Sequence, residues 1–202
     1  MADHEEKTVN GVNVTDLGQA IHDFRHDPAL GRFQFRATNQ WIKGGHNRTT
    51  IADFYGAGAE HSSDQRPFQL EADEPAVLLG KDYAPNPVEH LINALAGCMT
   101  SAMVYHAAAR GIRLESVESE LKGEIDVRGF LGIAPEVRKG YQRIDVTFRV
   151  QGDGTPEQLA ELCRFSPVLD VVSNGTVVNI DVQKVAVQTS RAEEVAGDTA
   201  QP

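Results

Sequence analysis

Residues 86–111 constrain the fold of this chain more than any other stretch. Asn86-Pro87-Val88-Glu89 is a helix start: the Asn side chain caps free amides, Pro fits the first helical position, and Glu at the third can return to the cap's own amide. From Leu91 to Ala109 no charged residue occurs, and Gly111 supplies a stop after Arg110. By length alone such a helix could nearly span a bilayer, but Asn93, Thr100, Ser101 and His106 interrupt it. A helix buried among other elements fits it better.

Those other elements can be read from period and punctuation. Before the helix, Phe33, Phe35, Ala37 and Trp41 alternate with polar residues, and NRTTIADFY and PFQLEA follow as further extended segments. After it, Val117, Leu121, Ile125 and Val127 fit one strand face, and Ile144, Val146, Phe148 and Val150 fit a second. RGFLGIAPEVRKGYQ between them reads as a loop. Thr155-Pro156-Glu157-Gln158 repeats the capping logic, placing Leu159, Leu162, Cys163 and Ser166 on one helical face until Pro167 disturbs it. Asn174-Gly175 makes a turn, and the β-branched run TVVNIDVQKVAVQT reads as a last strand. Strands and helices segregated in this way argue for an α+β fold rather than a parallel wrap.

Length and apolar content suffice for one buried core. Residues 1–30 form a polar segment, partly ordered at most, with one weak helical stretch around Asp16 to Phe24; residues 31–189 form the domain, and 190–202 a polar tail. A net charge of −10 opposes phosphate backbones and anionic headgroups, so neither nucleic acid nor a membrane surface is an expected partner. The opening MADHEEKTVN lacks the basic and apolar regions of an export signal and reads as cytoplasmic. Two cysteines in that setting are reduced thiols or a redox pair rather than a permanent staple.

Cys98 sits mid-helix among Ala94, Gly97, Ser101 and Ala102, a face of small side chains that admits a second helix. The capped helix carrying Cys163 is the obvious neighbour, and would bring two thiols into one pocket. Either cysteine alone reads more simply as a small buried hydrophobe, and Cys98, about three turns from the helix start, needs a cation to be activated. Other candidates are weaker. His22 and His26 have metal-ligand spacing but no further ligand nearby, so no metal is expected. His90 and His106 each stand eight residues from Cys98, two turns away. Asp73-Glu74 before Pro75 reads as a solvated turn, and Gly44, Gly45, Gly56 and Gly58 form no phosphate loop.

The run from Asn86-Pro87 to Gly97-Cys98, followed by Ala109-Arg110-Gly111-Ile112 and an alternating strand, resembles the central helix of the OsmC/organic-hydroperoxide-resistance family. Ser166-Pro167-Val168 resembles its second-helix segment, and Ala37-Thr38 to Trp41, Gly44-Gly45 and Arg48 its opening strands, so the likeness covers about residues 32–187. It implies antiparallel sheets wrapped around two central helices in an intertwined homodimer, with active sites at the subunit interface. It also implies a thiol peroxidase that uses no prosthetic group. Cys98 would attack an organic hydroperoxide, Cys163 would resolve the sulfenic acid as a disulfide, and Arg48, held by Glu89, would stabilise the thiolate. An external thiol or dithiol would regenerate it.

The chain departs from the family in three places. Ser166 stands where the peroxidase branches have the second cysteine, one helical turn after Cys163. Val88 follows Asn86-Pro87 where one branch has its glutamate, so Glu89 points about 100° away and serves equally as a cap. Arg48 lies at a different interval from Trp41, which leaves Arg36 as a substitute. A stress-response or binding module without efficient turnover is the competing reading; cysteine-dependent hydrolysis ranks last, since it needs a histidine at Cys98.

Overall fold

The structure, a computed structural model, describes residues 7–185. In chain order the elements are β1 (Thr8–Val9), β2 (Val12–Asn13), α1 (Val14–His26), β3 (Ala37–Lys43), β4 (His46–Ile51), β5 (Phe54–Gly56), β6 (Ala59–His61) and β7 (Phe68–Ala72). There follow α2 (Pro87–Ala109), β8 (Leu114–Glu124), α3 (Val127–Phe130), β9 (Arg143–Gly152), α4 (Pro156–Cys163) and α5 (Pro167–Asn174). The mixed α+β architecture expected from the sequence is borne out, with antiparallel strand pairing throughout the described sheets.

The long helix starts and stops where its punctuation predicts. Asn86 Oδ1 accepts from Glu89 N at 2.9 Å while Glu89 Oε2 accepts from Asn86 N at 2.8 Å, with Pro87 in the first turn. At the other end Ile112 N donates back to Ala107 O, and Gly111 takes φ +71°, a conformation side chains disfavour. Leu95, Met99, Met103 and Ala107, four residues apart, form a buried stripe on which Leu159, Leu162 and Cys163 of α4 close. This is the core. By length and composition α2 would pass for a membrane span, yet its apolar stripe is spent on α4 and on β8 and β9.

The strands β8 and β9 pair antiparallel, placing Val117 opposite Val150, Leu121 opposite Val146 and Gly123 opposite Ile144 on the face turned to α2. The other face sets Glu118 opposite Arg149, Lys122 opposite Asp145 and Glu124 opposite Arg143 in register, and its ion pairs run from Lys122 to Glu120, Arg143 to Asp145 and Arg149 to Glu120. Gly123 is required by a close approach. A Cβ there would fall 2.4 Å from the Tyr141 ring, which crosses β8 so that its hydroxyl donates to Val88 O at 2.9 Å in the first turn of α2.

A separate three-stranded sheet, in the order β3-β4-β7, meets the N-terminal half of α2, where His90 Nε2 donates to Glu71 O at 2.9 Å. The polar opening segment is tied down as well: Asn10 Nδ2 donates to Ile112 O at 2.9 Å and its Oδ1 accepts from Leu114 N at 2.8 Å.

Several expectations change. Ser166 does not extend the fourth helix; α4 ends at Cys163, and Ser166 Oγ accepts from Leu169 N at 3.1 Å as the cap of α5, with Pro167 in its first turn. Ile125 and Val127 fall beyond the end of β8, and the stretch read as a loop contains the short α3 capped by Asp126. Asp73 is not a solvated turn. It is 2% exposed and its carboxylate accepts from the amides of Glu74, Lys81 and Tyr83, cinching residues 73–83 into a closed loop. The valine-rich closing run shows no strand pairing over residues 176–185, and Val177, Ile180 and Val182 stand exposed. Its remainder lies outside the described residues.

Candidate functional site

The small-residue face of α2 is not where α4 packs. Helix α4 closes on the Leu95–Met99–Met103–Ala107 stripe, and Cys98, one residue before Met99, lies about 100° round the helix from it. Cys98 is half-buried and unpaired, between exposed Ala94, Gly97 and Ser101. A side chain built at Gly97 would meet nothing within 4 Å, so open space adjoins the sulfur.

Cys163 is inside the core instead. It is 3% exposed, and its Sγ donates to Leu159 O at 3.6 Å, one turn back in its own helix. Burial pushes its thiol above the ordinary cysteine value. The pocket of two neighbouring thiols expected from helix packing is therefore replaced by one half-open sulfur and one sealed one, each free.

Successive residues of β4 point to opposite faces of its sheet. Asn47 and Thr49 face α2 and, with Asn39, Leu70, Pro87, His90, Asn93 and Ala94, line a groove of about 460 Å³. Arg48 falls between them and so on the far face. There it stands opposite Glu71 in the ladder, and its Nε donates to Glu71 Oε1 at 2.5 Å. His46 Nε2 donates to the other carboxylate oxygen at 2.7 Å. The Arg48 bond first and the His46 bond second hold the Glu71 carboxyl below its usual range. Glu71, not Glu89, is thus the partner of Arg48 in this chain. Glu89 is engaged by its capping box, and Arg36, the alternative arginine, pairs with Glu60.

The two histidines that flank Cys98 are committed elsewhere. His90 is bound to Glu71 O. The His106 ring stacks on Phe165 with centroids 4.0 Å apart, and Arg110 donates to its Nδ1 at 3.1 Å. Burial first, then the Arg110 charge, depress His106 below the ordinary histidine value. Neither histidine is placed as a base for Cys98. His22 and His26 lie 3.9 Å apart between ring centroids, and no group of three or more metal-ligating side chains occurs among the described residues.

Residues 80–181, just over half of the chain, match the family model described as OsmC-like protein. The chain belongs to the OsmC-like family. Among solved structures, an OsmC-like protein from Mycoplasma pneumoniae superposes with a TM-score of 0.51 at 16% identity, covering 70% of this chain and 88% of that one. An OsmC-like protein of unknown function from Vibrio cholerae gives a TM-score of 0.50 at 14% identity, covering 71% and 93%. At such identities the likeness shows the OsmC-like fold alone. No curated protein matches.

Proposed function

We propose that this OsmC-like chain is a thiol-dependent peroxidase that reduces organic hydroperoxides, with Cys98 as the nucleophile. Its family is linked to hydroperoxide resistance and redox stress defence. The observation that carries the reading is the free, half-buried Cys98 on the one open face of the central helix. The Cys98 thiolate attacks the terminal peroxide oxygen; the O–O bond breaks, the alkoxide leaves and takes a proton as alcohol, and the sulfur keeps one oxygen as sulfenic acid.

The arginine of the reading comes from a second copy. Arg48 faces away from α2 of its own chain, while Ala94, Gly97 and Ser101 leave room for close approach beside Cys98. A homodimer seated on that face brings a guanidinium towards each Cys98, and Glu71 with His46 takes the orienting role first assigned to Glu89. A reducing, cytoplasmic setting suits both free thiols.

The test is treatment of the reduced protein with one equivalent of cumene hydroperoxide, followed by mapping of both cysteines by mass spectrometry. Rapid oxidation of Cys98 is expected, and Cys98→Ser should abolish peroxide consumption; undiminished turnover in that variant would remove the nucleophile. The second reading is a stress-response or small-molecule-binding module without efficient turnover. It is favoured by the burial of Cys163, and Cys98 persisting as free thiol under peroxide would favour it further.

A further inference from the structure

The two sulfurs of this chain lie on different flanks of α2. A disulfide requires its two Cα atoms within about 7 Å and Cβ vectors that converge. Cys163 is directed into the Met99 stripe, with its hydrogen on Leu159 O, while Cys98 sits about 100° away on the open flank. Joining them would mean rolling α4 out of the core that Leu159 and Leu162 share with it. The next candidate, Ser166, offers a hydroxyl that forms no disulfide and is occupied by capping α5. On the other side, Cys98 is half-buried outside the core, and its neighbour Gly97 borders open space.

We infer that Cys98, if it is the peroxidatic residue just proposed, is turned over in a single-cysteine cycle by a thiol of low molecular mass, small enough to enter between the two copies, with no internal disulfide. The sulfenic acid condenses with the first thiol: an S–S bond forms, the S–O bond breaks, and the hydroxyl leaves with the thiol proton as water. A second thiol attacks the outer sulfur of the mixed disulfide, releases Cys98 with a proton, and departs as the symmetric disulfide. Two thiols are oxidised for each hydroperoxide reduced to alcohol. Cys163 remains a packing residue throughout.

The full chain is oxidised with cumene hydroperoxide in the absence of thiol and then in the presence of 2-mercaptoethanol as the probe. Without thiol, Cys98 should gain one oxygen and be captured by dimedone, while Cys163 remains free to alkylation after unfolding. With the probe, a mixed disulfide should form at Cys98, and Cys163→Ala should consume peroxide within about twofold of the parent rate. A Cys98–Cys163 peptide as the main product would overturn the inference and leave the peroxidase reading standing. So would a loss of about tenfold or more shared by Cys163→Ala and the better-filling Cys163→Val. Absence of any oxygen at Cys98 would remove the peroxidase reading, and the inference with it.

Discussion

At Tyr141 one hydroxyl ties the loop before β9 to the first turn of α2, while its ring occupies the space that Gly123 leaves in β8. Burial raises the phenol above its ordinary value, so it remains the neutral donor the Val88 carbonyl needs. Tyr141→Phe keeps the ring and deletes the bond; it should cost about 0.5–1.5 kcal/mol in urea unfolding. Gly123→Ala should cost more, because the Cβ meets a ring that cannot retreat. His106 gives a pH signature with a definite sign. Its folded value is depressed, so the unfolded chain binds its proton first as pH falls. The stability it contributes is complete above the ordinary value of 6.5 and is lost as pH drops from there towards the folded value. Urea midpoints measured between about pH 7.5 and pH 5.5 should fall in the parent and flatten in His106→Leu. The site was only partly legible at this scale. Cys98 stood out because its helix is written locally, whereas the pairing of Arg48 with Glu71 depends on the register of β4 against β7, which lies across more than twenty residues of chain.

The helices were legible where their caps are local. Asn86-Pro87 and Thr155-Pro156 each give side chain, proline and return bond within four residues, and both helices begin there. Ser166-Pro167 carries the cap and the proline, without a return bond from Leu169, and taking its proline as a disturbance rather than a start hid the break between α4 and α5. Ser166→Ala should cost about 1 kcal/mol of stability through the lost cap, read by thermal or urea unfolding. The core helix is more sensitive still. Leu95, 1% exposed and central to the cluster, should lose about 2–5 kcal/mol on replacement by Ala. The three-stranded sheet was read as extended segments, but not how lightly it leans on α2, because side-chain alternation gives the face of a strand and not its neighbour. Amide exchange should therefore be slower in residues 95–107 of α2 than in β3, whose residues are all exposed.

Taken as one molecule, the chain leaves much apolar surface unpaired. Phe35, Trp41, Leu91, Tyr105 and Phe165 are all exposed, as are the valines after α5. Sedimentation of the full chain should give a dimer at micromolar concentration, with part of this surface covered; a monomer there would remove the second copy from the proposed site. The long-range arrangement was the least legible in the sequence, since it depends on which faces remain after the core has closed. The outer face of β8 and β9 narrows the choice. Its charges pair mostly along the strands, Lys122 with Glu120 and Arg143 with Asp145, while Arg149 reaches across to Glu120, so apolar material laid over them would have to strip water from a whole row of ions. An apolar companion is therefore expected away from that face. Added salt, which loosens ionic contacts, should leave such an assembly intact.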